Sequence, residues 1–460
     1  MTSRFTGRLV LADDPTFLDS VFTRVHNGKH PTDRLPRAVL HADNVEDVRQ
    51  GVLWANEQGL TVAVRAGGHS WIVWSVHNDS LLIDLKKLND KGIDLATGIA
   101  WAEPAVMGGA ELAPFLKDNG RFFHGGHCPE VAVGGFLLQG GQGWLQRGYG
   151  WGCEWVTAIE MIAADGELIR CDENENADLF WAARGAGPSF PGIVTKFYLE
   201  TRPLYGYCGH SMQVYPLDLF DEVMTWLYEV DHVLDRDVEV LCMSAAPPLP
   251  DGSPGPRVFI VNGFTLTDSK ERGDAVLAPL QTCPVIGQAL VNEPNIPKEL
   301  ADLINEANVM YPTGARHIVN DIWVDGPTAE VVQRIKPLFV DLPEPHAHTI
   351  WIANGPMRPL KDIAFSMQAP GYVATYIIYE DESHDEANAA FLDAALTHAE
   401  PVTVGQYLGD SDLTSKQMKF MADDNFAKLQ DIIAKHDPAG RFARYLTKDP
   451  STINRNEWES

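Results

Sequence analysis

Apolar positions along this chain follow two rhythms, and the rhythm changes where the architecture should change. Residues 36–65 open with a short apolar run, Ala38-Val39-Leu40-His41. Asn44-Val45-Glu46-Asp47 then reads as a helix start, with Asn44 as N-cap and an acid in the first turn. Val48, Val52 and Ala55 follow at helical spacing, and Thr61-Val62-Ala63-Val64-Arg65 is a β-rich run that stops at two glycines. The pattern predicts strand, helix, strand, with a further buried strand at Leu81–Leu85. From 98 to 205, short strands alternate with glycine clusters and one helix over 110–119, closed by Gly120. Residues 157–170, broken by Asp165-Gly166, read as a β-hairpin.

Beyond 206 the runs lengthen. Val258–Val261, Thr349–Ile352 and Val373–Tyr379 are strand-like, and helical stretches at 217–234, 298–308 and 327–338 interleave with them. An antiparallel sheet backed by helices is expected there. Pro-rich segments at 247–256 and 341–345 read as loops, and a last helix is expected over 416–435.

The chain has 460 residues, too many for one ordinary domain and comfortable for two. Its 63 acidic against 36 basic residues give a formal charge of −27, which repels nucleic-acid phosphates and anionic lipid headgroups. Neither nucleic acid nor membrane is therefore an expected partner. No apolar run reaches membrane-spanning length, and the first ten residues lack the apolar core of a secretion signal. The six cysteines contain no CxxC and no tight framework, which fits a reducing compartment. An intracellular protein is expected, unless the sequence is a processed form.

Three glycine-rich segments carry the chemistry. After the strand ending at Arg65, Gly67-Gly68 exposes successive backbone N–H groups, a nest for a pyrophosphate, with His69 and Ser70 following and Arg65 adding charge. The bland alternative is a simple turn with a buried histidine. In His124-Gly125-Gly126-His127-Cys128, a cysteine sits among glycines beside a histidine, an arrangement that favours the thiolate. A zinc site is the rival, but adjacent His127 and Cys128 reach one metal awkwardly and no further cluster completes the set. No metal is expected. In Gly134-Gly135-Phe136-Leu137-Leu138-Gln139-Gly140-Gly141-Gln142-Gly143, the missing Cβ atoms let backbone approach a ligand or make a tight bend. The spacing is not the GxGxxG of a nucleotide-binding βαβ unit.

The order of these motifs resembles the vanillyl-alcohol-oxidase superfamily of flavoproteins, and within it the berberine-bridge-enzyme-like oxidases. The resemblance extends through Arg147-Gly148-Tyr149-Gly150, Asp178–Gly185, Gly192-Ile193-Val194-Thr195 and the tail Asp424–Leu429, His436-Asp437-Pro438 and Phe442. It implies an α+β fold with a PCMH-type FAD-binding domain over 1–205, completed by 415–460, and an antiparallel-sheet substrate domain over 206–414. It implies FAD attached twice, His69 to the 8α-methyl and Cys128 to C6 of the ring. Arg65, Ala66, Gly67, Gly68 and Ser70 would wrap the pyrophosphate. Val133, Gly134, Gly135 and Gly143 would line the flavin, Ile193 and Val194 would lie at the adenine end, and Asn425 would steady the cofactor. Two tethers would leave an open cleft and raise the flavin's potential.

The family's Tyr-x-Asn-Tyr becomes Val404-Gly405-Gln406-Tyr407 here, keeping only the second tyrosine, the family's usual base position. A phenol is a poor base in water and needs a positive or hydrogen-bonding neighbour. Other departures are Phe190-Pro191 for Asn-Phe, Glu154 for an aspartate and Gln368 for an arginine, so the substrate pocket has drifted further than the cofactor site. Tyr372, Trp351 and Trp323 are further pocket candidates. Val131, three residues after the cysteine, stands where a small side chain goes with oxygen access. The implied chemistry is alcohol oxidation, with hydride passing to flavin N5, the proton to Tyr407, and O2 returning as H2O2. The alternatives are C–N oxidation of an alkaloid-like amine, a dehydrogenase slow with O2, or a flavin-loaded binding protein. The small-molecule substrate and the oligomeric state are not legible.

Overall fold

A computed structural model describes residues 4–247, 249, 251, 253–447, 451, 453 and 454. Met1–Ser3, part of the Pro-rich loop and residues 455–460 of the tail lie outside the described residues. Among those described there are sheets of four, five and eight strands, and one two-stranded pairing. The first segment folds as its rhythm predicts. Strands Ala38–His41 and Thr61–Arg65 flank the helix Val45–Gln58, whose N-cap Asn44 accepts from the Asp47 N–H. Ser80–Asp84 inserts between the two strands, parallel to both, and Arg8–Leu11 adds an antiparallel edge.

Residues 91–200 build a five-stranded antiparallel sheet in which Ile193–Glu200 lies between Ile99–Ala102 and Val156–Ile162. The hairpin Val156–Ile162 and Leu168–Cys171 falls where Asp165-Gly166 turns the chain. The helix expected over 110–119 opens as a wide turn at Gly108–Leu112 and becomes regular over Ala113–Asp118. The glycine run at 134–143 holds a surprise: Val133–Leu138 is helical, because its apolar side chains find a core on one side.

The eight-stranded antiparallel sheet runs, in spatial order, Val291–Pro297, Tyr207–Pro216, Val258–Thr267, Val238–Ala245, His348–Ala353, Gly371–Tyr379, Arg316–Val324 and Thr403–Gly405. Its central strands His348–Ala353 and Gly371–Tyr379 are buried on both faces, so side-chain direction there follows alternation rather than polarity. Val240, Cys242, Phe259, Val261 and Trp351 share a core with helices Phe220–Asp231, Thr328–Val340 and Asp385–Ala399. Leu241, Met243, Ile350, Ile352 and Tyr376 point the other way, toward the smaller sheets.

That parity corrects one expectation. Trp351 faces the helices, donating its indole N–H to the Tyr228 hydroxyl at 3.1 Å, and is no pocket residue. Trp323 is fully buried against Trp151 and Tyr372. The last helix begins at Asp423, later than expected, because Lys416–Ala422 instead runs irregularly beside Gly405–Tyr407, where Gln406 N–H reaches Lys419 O. Helix Asp423–His436 returns to the five-stranded sheet: Leu429, Ile432 and Ile433 join the core of Leu179, Phe180 and Trp181, and Lys435 and His436 meet Asp178. Phe442 then pairs with Val62 beside the first sheet. Among the described residues, no helix is long and apolar enough to cross a membrane.

Candidate active site

A cavity of about 500 Å³ lies between the two small sheets and the inner face of the large one. That is within the usual range for small-molecule sites, roughly 300–1,000 Å³. The glycine-rich turns form one side of it. Ala66, Gly67, Gly68, His69 and Ser70 all line it, as do Cys128, Val131, Gly134, Gly135, Ile193 and Val194. Gly68 has φ +80°, and a Cβ there would run into the Arg24 carbonyl, so only glycine lets the chain turn between strand and cavity.

Arg65 is placed differently from the expectation. Its backbone touches the cavity, but its guanidinium is buried and turned inward. Nε and Nη2 donate to Asp84 Oδ2 at 3.0 and 2.6 Å, and Nη2 also donates to Ser20 O at 2.9 Å. Asp84 Oδ1 accepts from Arg24 as well. Burial disfavours the Asp84 carboxylate, yet the two guanidinium charges outweigh it and hold its pKa below the ordinary value. The Arg65 charge is thus engaged by Asp84 and not turned to the cavity.

Three more expected residues stand off the cavity. Val133 turns into the core. Gly143 packs against the backbone of His124 and Gly125. Asn425 donates to Ile363 O at 2.8 Å, and the C-terminal contribution to the wall comes from Phe442 and Ala443 instead.

His69 Nε2 is buried and has no hydrogen-bond partner. Its ring stacks on His26 at 4.0 Å. Burial, then the nearby His317, lowers its pKa to about 4, so the imidazole is neutral and keeps a lone pair at neutral pH. Burial pushes the Cys128 thiol up to about 12, with Asp410 and Glu130 adding to the shift. The adjacent His127, expected to favour the thiolate, turns away to Glu239, 2.7 Å off, so nothing opposes the effect of burial. Among the described residues, no three His, Cys, Asp or Glu side chains converge to hold a metal ion.

Tyr407 lies on the cavity wall, and its hydroxyl accepts from the backbone N–H groups of Gly141 (3.1 Å) and Gln142 (3.3 Å). Burial, then Asp410, raises its pKa, while the two N–H donors oppose that rise. Asp410, which sequence reasoning missed, also lines the cavity. Its carboxylate accepts from Trp71 Nε1 at 2.8 Å, Tyr372 Oη at 2.6 Å and Tyr376 Oη at 3.1 Å. Tyr372 therefore reaches the cavity only through Asp410. The signal was there in part, since Asp410 follows Tyr407 by three residues, but its three donors come from distant strands and loops. The departures at Glu154 and Gln368 belong together: Arg358, from a loop, pairs with Glu154, and Gln368 accepts from Trp151 and donates to Arg358 O.

The residues fit a flavin dinucleotide. A glycine turn offers its backbone, an orphaned imidazole nitrogen and a thiol share one cavity, and Gln142 Nε2 and Trp144 Nε1 are further buried donors without partners. The comparisons agree. A family model described as an FAD binding domain matches residues 36–172. The FAD-linked oxidoreductase nodO of Hypoxylon pulicicidum is 33% identical over 431 residues, 93% of this chain and 94% of that protein. The solved 6-hydroxy-D-nicotine oxidase of Arthrobacter nicotinovorans superposes with a TM-score of 0.82 at 21% identity, covering 97% and 98% of the two chains. Berberine bridge enzyme from Eschscholzia californica gives 0.78 at 19%, covering 96% of each. This is an FAD-dependent flavoenzyme of the two-domain α+β type. The chain belongs to the FAD-linked oxidoreductases, and it has the fold of 6-hydroxy-D-nicotine oxidase and berberine bridge enzyme.

Proposed function

We propose that this oxidoreductase is an oxidase that carries FAD on both His69 and Cys128 and oxidises a hydroxyl-bearing small molecule, with O2 as electron acceptor and H2O2 as product. The observation that carries the reading is the unpartnered, neutral His69 nitrogen sharing one cavity with the Cys128 thiol. When bound, FAD supplies the two-electron acceptor. The chain supplies the rest. Backbone around Gly67 and Gly68 faces the phosphates. Tyr407 takes the hydroxyl proton as its phenolate, the form that the Gly141 and Gln142 N–H groups stabilise. The inner sheet face excludes water from the reacting carbon. Val131, small and at the cavity wall, leaves a path for O2.

A second reading, oxidation at a carbon–nitrogen bond, draws support from the Asp410 carboxylate in the same cavity. Under that reading no hydroxyl proton has to leave, and Tyr407 matters little. The test is a screen of alcohols, sugars and amines for H2O2 release, followed by Tyr407→Phe on any substrate found. A large rate loss supports the alcohol reading, a small one the amine reading, and no peroxide from any substrate counts against both.

A further inference from the structure

Charged side chains lining the cavity are almost all neutralised. Arg65 is paired with Asp84, and Glu306, at the edge, with Lys298 at 2.5 Å. Buried His69 is held neutral, and His127 is matched by Glu239. Asp410 differs. Its three partners are an indole and two phenols, all neutral donors, and among the described residues it has no cation within ion-pair distance. A carboxylate offers about four acceptor positions, so three donors leave one unused. An uncompensated anion beside apolar walls is costly unless its ligand supplies the opposite charge.

The wall around it sets the rest of the ligand's character. Leu241, Met243, Ile350 and Ile352 alternate inward from adjacent strands, and Phe264 and Tyr376 continue the surface. Of the polar side chains nearby, His210 Nε2 meets Asn262 Oδ1 at 3.0 Å, which leaves His210 Nδ1 without a partner. Trp71 and Tyr376, both beside the Asp410 carboxylate, present aromatic rings of the kind that favour a cation.

We propose that Asp410 anchors a protonated amine of an apolar, ring-bearing substrate, so that the site selects for a cationic group at one end and apolar bulk at the other. This rests on the reading of the cavity as the flavin enzyme's substrate site, and it holds whichever bond is oxidised. It also gives Tyr407 what it lacks. A cation on Asp410 cancels the negative charge that helps to raise the phenol's pKa, so substrate binding itself readies the proton acceptor.

The test uses three small probes of nearly the same shape: N-methylbenzylamine, benzyl methyl ether and phenylacetate. Binding to the purified holoenzyme is followed by perturbation of the flavin absorption band and, independently, by calorimetry. The amine should bind at least about tenfold tighter than the ether, a difference of about 1.4 kcal/mol, and phenylacetate should bind weakest. In Asp410→Asn the preference for the amine should vanish while affinity for the ether is kept. Equal binding of amine and ether, no binding of any probe, or an amine preference that survives in Asp410→Asn overturns the proposal. If the variant does not fold, the wild-type ranking decides alone. A colourless protein that still prefers the amine by calorimetry sinks the flavin reading and keeps the anchor; a yellow protein without the preference does the reverse.

Discussion

The Tyr407 hydroxyl accepts a hydrogen bond from the Gly141 backbone N–H at 3.1 Å, with the Gln142 N–H adding a second at 3.3 Å. The two residues are 266 positions apart, so the large sheet and the glycine run meet at this oxygen. Gly141 has φ +84°, a conformation that aims its N–H at the phenol and that side-chain-bearing residues rarely adopt. If Tyr407 is the proton acceptor, Tyr407→Phe lowers kcat/KM about a hundred- to ten-thousand-fold. Flavin content should stay at the wild-type level, which steady-state kinetics beside an absorption spectrum will check.

The Arg65–Asp84 pair acts on stability instead. Asp84→Asn leaves two guanidinium groups short of their counter-charge in a buried place, and removing one partner of such a pair costs about 3–5 kcal/mol. Thermal unfolding followed by near-ultraviolet circular dichroism should show a clear drop in Tm. A variant as stable as the wild type would mean that Arg65 is free to face the ligand after all.

Acid should weaken the protein early. Burial lowers His26 to about 2, His124 to about 3, and His69, His317 and His348 to about 4. Each is neutral in the folded state while its unfolded counterpart titrates near 6.5. Below that pH the unfolded chain takes up protons that the folded chain refuses, so stability present above pH 6.5 is lost as pH falls toward each folded value. Each histidine contributes up to about 1.4 kcal/mol per pH unit in that window. Tm measured from pH 7 to pH 4 on flavin-free protein should fall steadily, and a flat profile would show that these imidazoles are not shielded.

Val131 lines the cavity beside Cys128. If it is the oxygen path, Val131→Leu slows reoxidation of substrate-reduced enzyme by about tenfold or more, the equivalent of 1.36 kcal/mol or more of barrier. The rate of reduction should barely move. Stopped-flow mixing with air-saturated buffer separates the two half-reactions.

Much of the molecule is legible in the sequence because local signals suffice there. Asn44 caps its helix, Asp165-Gly166 turns its hairpin, and the glycine turns come to one cavity. What is not legible depends on parity or on distant partners. Trp351 and Ile352 are neighbours in a strand buried throughout, and composition cannot say which one faces the cavity. Arg65 reads as a phosphate ligand until Asp84, its register partner at the end of the next strand, claims it. Asp410 carries no motif of its own, since Trp71, Tyr372 and Tyr376 come together around it only in three dimensions.

Peptide mass spectrometry of the proteolysed enzyme reaches the central claim most directly. A flavin adduct on the peptides holding His69 and Cys128, with yellow colour retained in acid-precipitated protein, is the predicted result. Both peptides at their unmodified masses, with all colour released to the supernatant, would contradict it.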